Sequence, residues 1–126
     1  MSHPVVTINN RASRNIFVDS DPNWDDQILL IDGKRIDGVY TLPQGATIRI
    51  SIPWEGAASE LMMGVIFANA AQYDYGDVGF YQLSIGQEPQ SGHLGITDQY
   101  ESGSSQLRYT IEHQTPWSMT VNFIDA

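Results

Sequence analysis

The residues best placed to do chemistry are an oxygen-rich loop, three histidines and a set of loop-borne aromatic rings. Asp19-Ser-Asp-Pro-Asn-Trp-Asp25 sets oxygen ligands at alternate positions, the opening of a calcium loop, and hard oxygens suit a hard cation. Its sixth position, where such a loop needs Gly, is Trp24, and its twelfth, where it needs Glu, is Leu30. The segment therefore reads as a turn whose Asp and Asn side chains bond nearby backbone. His3, His93 and His113 lie far apart, with no metal-ligand spacing. His113 follows Glu112, but neighbours on a strand face opposite ways, which argues against a dyad. Ser84 falls inside a strand without a nucleophile-elbow context. Paired carboxylates of the glycosidase kind can meet in space with no sequence signature. No catalytic residue, metal site or cofactor is assigned, and the chain reads as a non-enzyme.

The aromatic residues carry more. Trp24, Trp54 and Trp117 all sit beside turn residues, and Tyr73, Tyr75 and Tyr100 fall in or next to predicted loops. Trp is amphipathic and favours the headgroup region of a bilayer, so loop-borne Trp anchors a soluble domain shallowly. Each ring taken singly also suits capping one end of a core. Asp74 and Asp77 flank Gly76 and are candidate polar determinants of specificity, whereas Gly76 and Gly79 serve the backbone.

Charge narrows the partner class. Fifteen acids against six bases leave a formal net charge of -9, which disfavours nucleic acid phosphates and anionic lipid alike. Any membrane contact must favour neutral or zwitterionic lipid, through aromatic contact and hydrogen bonds, with an Arg such as Arg14 or Arg108 facing a phosphate. Such binding should depend weakly on salt. There is no cysteine, hence no disulfide framework and no thiol nucleophile. Met1-Ser-His-Pro-Val-Val lacks the basic and apolar regions of a secretory signal, so the expected site of synthesis is the cytoplasm or an inclusion body, with action outside the cell after release.

These residues need strands to hold them. Tyr75-Gly-Asp-Val-Gly-Phe-Tyr-Gln-Leu-Ser-Ile85 reads as a two-glycine turn feeding a half-buried strand, and Leu61 to Phe67 is the most apolar run before it. Earlier strands are expected at Val5 to Ile8, stopped by Asn9-Asn10, at Ile16 to Val18, at Val39 to Leu42 and at Thr47 to Ile52. Gln27 to Asp32 reads as strand or short helix, with Asp32-Gly33 a hairpin signal. Later ones are His93 to Asp98, then a loop over Gln99 to Ser105, Leu107 to Glu112, and Ser118 to Ile124. No segment holds a helical period over three turns. The pattern predicts an all-β, antiparallel β-sandwich, with residues 1–126 a single domain.

Three stretches resemble the aegerolysins, a family that includes the small partners of binary insecticidal crystal toxins. They are Val6-Thr-Ile-Asn-Asn10 with Ile16-Phe-Val-Asp19, Gly76-Asp-Val-Gly79-Phe-Tyr-Gln-Leu83, and Asp98-Gln-Tyr-Glu-Ser-Gly-Ser-Ser105 with Leu107-Arg-Tyr-Thr-Ile111. The chain departs from the family pattern at Asp77-Val78, Tyr75, Thr97 and Tyr100. The resemblance implies a compact β-sandwich that binds membrane lipid, often of sphingolipid type, and in several systems recruits a larger pore-forming partner. The lipid-contact set expected on this reading is Trp24, Trp54, Tyr73, Asp74, Tyr75, Asp77, Tyr100 and Trp117. Two other readings fit the same residues: a carbohydrate-binding, lectin-like sandwich, since loop Trp and Tyr beside Asp and Asn also serve sugars, and an inclusion-forming structural protein.

Overall fold

In the computed structural model, which describes residues 3–24, 27–73 and 79–126, the chain forms eleven strands and one short 3₁₀ turn. They are β1 (Val5–Asn10), β2 (Ile16–Ser20), β3 (Leu30–Ile31), β4 (Lys34–Arg35), β5 (Tyr40–Leu42), β6 (Thr47–Ser51), the 3₁₀ turn Ala58–Glu60, β7 (Met62–Ala68), β8 (Phe80–Gln87), β9 (Leu94–Ser102), β10 (Leu107–Glu112) and β11 (Ser118–Asp125). A six-stranded sheet in the order β10-β11-β1-β6-β3-β4 packs on a five-stranded sheet in the order β5-β2-β7-β8-β9. The architecture is the expected β-sandwich. All pairings are antiparallel except β1 with β11, which run parallel, an arrangement the strand pattern does not announce.

Alternation builds the core. Val6 and Ile8 of β1, Ile48 and Ile50 of β6, and Met119, Val121 and Phe123 of β11 point inward from one sheet. Val18, Met63, Val65, Phe67, Leu83 and Ile85 meet them from the other, with the Phe67 and Phe123 rings 4.7 Å apart and tilted at 42°. The strand β7 is buried on both faces, which is why it is the most apolar run in the chain. Its inward residues enter the central core, while Ile66 and Ala68 lie on the outer face, buried yet outside that core.

Several local expectations change. Asn9 and Asn10 do not stop β1 but belong to it. Asn10 is buried because its side chain bridges the sheets: Nδ2 donates to the carbonyls of Arg14 (2.9 Å) and Leu42 (3.1 Å), and Oδ1 accepts from the Ala12 N–H (3.0 Å). Only Leu30–Ile31 of the 27–32 segment is strand, turning at Asp32 (φ 52°) and Gly33 (φ 81°) into β4 as the Asp-Gly signal requires. The strand β9 runs through Ser102, so Gln99 to Ser102 and with them Tyr100 are strand rather than loop. Pairing with β8 overrides the polar composition there. Gly79 is structural, since a Cβ there would lie 1.9 Å from the Ser104 carbonyl oxygen.

Candidate aromatic cleft at one end of the sandwich

The start of β7, the end of β8 and the end of β6 all lie at one end of the sandwich, where the connections carrying Trp24 and Trp54 meet. Beyond Ser20 the chain leaves β2 and folds over the outer face of the five-stranded sheet. Asp21, 1% exposed, fixes this path: its N–H donates to the Gly64 carbonyl (3.1 Å), its Oδ1 accepts from the Asn23 N–H (2.9 Å), and its Oδ2 accepts from Gln82 Nε2. Gln27 then substitutes for the strand that has ended. Its Nε2 donates to the Gly64 carbonyl (2.9 Å) and to Ser20 Oγ (2.7 Å), and its Oε1 accepts from the Gly64 N–H (3.0 Å).

Gly64 is the pivot of this arrangement. A Cβ at that position would lie 2.8 Å from both Trp24 Cε3 and Asp21 Cβ, so the indole can lie against the sheet only because residue 64 has no side chain. Trp54 is held from its own side. Its Nε1 donates to the Ala57 carbonyl (3.1 Å), Gly56 passes close beneath the ring, and the ring packs on the core. The two rings line an open cleft of about 400 Å³ together with Asn23, Gln27, Ile28, Ile52, Pro53 and Met62. Ile28 is 38% and Met62 46% exposed, so two large apolar side chains lie open to solvent beside the rings. Beyond Met62 a second groove of about 610 Å³ is lined by Gln87, Glu88, Pro89, Gln90, Ile96 and Thr97. Met62 is the ridge between them. Among the described residues, none that lines the first cleft is Lys or Arg.

Trp117 lies at this same end, where its carbonyl accepts from the Val5 N–H (2.9 Å), but it packs half-buried on the core and does not line the cleft. Tyr73 and Tyr100 belong elsewhere, on the outer face of the five-stranded sheet toward its other end. Tyr73 donates to Asp19 Oδ2 (2.7 Å) and meets Phe80 edge-on at 5.4 Å. Tyr100, 58% exposed and opposite Gln82, stands 6.4 Å from the same Phe80. The expected contact set thus divides between two regions. Asp74, Tyr75 and Asp77, with Gly76, lie outside the described residues.

Arg14 is tied down at the far end from the Trp cleft, where Nη1 donates to Gln106 Oε1 (2.5 Å) and Nε lies 3.7 Å from Asp125 Oδ1. There Asp125 is held below the usual carboxylate range, first by hydrogen bonds from Ser13 and then by Arg14. Glu101 is lowered chiefly by the Ser105 hydroxyl and N–H. The adjacent pair Glu112 and His113 does meet, at 3.7 Å, because His113 lies past the strand end with φ 56° and escapes strand alternation. In the calcium-like segment, Asp19 and Asp21 spend their carboxylates on protein donors, and Asp25 lies outside the described residues. Among the described residues no three His, Cys, Asp or Glu side chains gather to hold a metal, and no helix is long and apolar enough to cross a membrane.

Sequence reasoning found Trp24 and Trp54 but missed Ile28, Pro53, Met62 and the supports Asp21, Gln27 and Gly64. An isolated Gly in the most apolar strand was the available signal, since it marks a close approach. No family model matches this chain, and no curated protein matches it.

Proposed function

We propose that the chain is a membrane-lipid-binding protein that docks through the Trp24–Trp54 end of the sandwich, and that it serves as the small component of a two-component pore-forming system. The observation that carries this reading is the grouping of two immobilised indoles with exposed Ile28, Met62 and Pro53 at one tip. Amphipathic rings flanked by bare aliphatic side chains suit the boundary between headgroup and acyl chain. A cleft without Lys or Arg, on a chain of net charge -9, suits a neutral or zwitterionic surface of sphingolipid type. The aegerolysin-like stretches point the same way and supply the idea of a larger perforating partner.

A sugar-binding reading draws on one specific feature. Trp54 has already given its N–H to Ala57 and offers only a ring face, beside Asn23, as a stacking sugar site would. The two separate by co-sedimentation with phosphatidylcholine vesicles, with and without sphingomyelin or ceramide phosphoethanolamine and sterol. Lipid recognition predicts salt-tolerant binding that Ile28→Asp and Met62→Asp abolish without lowering thermal stability. Binding that free sugars inhibit, or that survives both substitutions, would overturn it.

A further inference from the structure

Four strands end the two sheets: β10 and β4 in one, β5 and β9 in the other. An open edge is a template for another strand, and proteins blunt it with short length, bulges or charge. Three of the four are blunted. The strand β4 has two residues and β5 three. The strand β9 has an irregularity opposite Ser84/Ile85, carries Asp98 and Glu101, and has its Gln99 N–H capped by Asp98 Oδ1 (2.9 Å). By contrast, β10 pairs with β11 in unbroken register from Leu107 to Glu112 and contains no Pro, Gly or bulge.

The hydrogen-bond parity of β10 shows which groups are open. Ala126 N–H donates to the Gln106 carbonyl (3.1 Å), so the even residues Arg108, Thr110 and Glu112 turn their backbone groups toward β11, and the odd ones face outward. Of these, Leu107 is capped, its carbonyl accepting from Tyr81 OH (2.9 Å) and its N–H donating to Ser105 Oγ (3.4 Å). Among the described residues nothing pairs with the backbone of Tyr109 or Ile111 on that side.

We propose that this edge is a homodimer interface, in which two copies pair their β10 strands antiparallel about a two-fold axis through Thr110. The segment Arg108-Tyr-Thr-Ile-Glu112 is self-complementary in that register. Tyr109 lies opposite the partner's Ile111, and the two outward-facing residues exchange N–H and carbonyl groups. Arg108 lies opposite the partner's Glu112, twice over by symmetry. Both Arg108–Glu112 pairs and the Thr110–Thr110 pair fall at non-hydrogen-bonded positions, where opposed side chains approach most closely. No other register of β10 against itself matches both charges. Arg108 is in no ion pair among the described residues, and Arg108, Thr110 and Glu112 are all exposed. An edge of this length buries less than a standard interface, so the dimer should be weak, with a dissociation constant on the order of micromolar.

Sedimentation velocity over a concentration series tests it, with thermal unfolding of every variant as a check on the fold. Wild type should pass from monomer to dimer. Glu112→Arg should raise the dissociation constant about tenfold or more, since both attractive pairs become repulsive, and Arg108→Glu with Glu112→Arg should restore it. Because the chain has no cysteine, Thr110→Cys offers a second readout. Its two copies would face each other at about 4.5 Å between Cα atoms, within disulfide reach, whereas those of Arg108→Cys would lie about 13 Å apart. Concentration-dependent dimerisation with charge-swap rescue and a disulfide at 110 alone supports the proposal. A wild-type chain monomeric at every concentration, a dimer indifferent to the charge reversal, or equal cross-linking at 108 and 110 would overturn it.

Discussion

Replacing Gly64 with Ala tests whether the aromatic cleft is built on the absence of a side chain. The added Cβ would meet Trp24 Cε3 and Asp21 Cβ at 2.8 Å and Trp24 Cδ2 at 3.0 Å, so the indole must rise by more than half an ångström to reach ordinary contact, about 3.4 Å. The ring cannot slide freely, because Trp24 N–H is bound to the Asp21 carbonyl (2.9 Å) and its own carbonyl accepts from Gln27 N–H (3.0 Å). Overpacking of this kind costs about 1–3 kcal/mol, and Ala in place of Gly in a strand returns about 0.5–1 kcal/mol. The net expectation is a loss of about 1–2 kcal/mol, read from urea unfolding, together with weaker vesicle binding as Trp24 is displaced into the cleft. Because part of the clash is with the ring, Gly64→Ala and Trp24→Ala should couple by about 1 kcal/mol in a double-mutant cycle. A Gly64→Ala variant as stable as wild type, or strict additivity with Trp24→Ala, would refute the reasoning.

Further outcomes follow from other parts of the fold. Gly79→Ala drives a Cβ to 1.9 Å from a backbone carbonyl, which only main-chain displacement relieves, so we expect a loss of about 3 kcal/mol or more by denaturant titration. Asn10→Ala leaves the Arg14 and Leu42 carbonyls and the Ala12 N–H without their partner, and should cost about 2–4 kcal/mol in the same assay. Glu101 has a folded-state pKa below its ordinary 4.5, so its contribution is present above that pH and lost as the pH falls through the lowered value. Glu101→Gln should therefore lose that contribution near neutrality and flatten the acid limb of the stability–pH curve, so that variant and wild type converge at low pH. If the β10 dimer and the lipid cleft both operate, the two-fold axis sends the clefts in opposite directions, so wild type should cluster vesicles and Glu112→Arg should bind them without clustering, measured by turbidity.

What the sequence made legible was set by local periodicity. Thr47 to Ser51 and Leu107 to Glu112 alternate cleanly and form strands there. The reversal at Asp32-Gly33 follows from backbone chemistry alone. What stayed hidden was decided by partners distant in the chain. Polar Gln99 to Ser102 is strand because β8 pairs with it, and Asn10 is buried because Leu42 and Arg14 receive its amide. The site shows the same division. Trp24 and Trp54 were recognisable as turn-borne rings, but their meeting depends on Gly64 and Gln27 joining segments 37 residues apart. Tyr73 and Tyr100 looked equivalent to them and are not, since sheet pairing carries them to the outer face near Phe80. Neighbours on opposite sides of a strand end, such as Glu112 and His113, defeat a rule that assumes both are strand.

The most direct test of the account is tryptophan fluorescence of the wild-type chain with zwitterionic vesicles of phosphatidylcholine and sphingomyelin, some carrying bromine on the acyl chains, at low and high salt. Docking through the cleft predicts a blue shift and bromine quenching that persist at high salt and fall sharply in Trp54→Phe and Met62→Asp. Unchanged emission with every vesicle, or quenching that needs anionic lipid and vanishes as salt is raised, would contradict it.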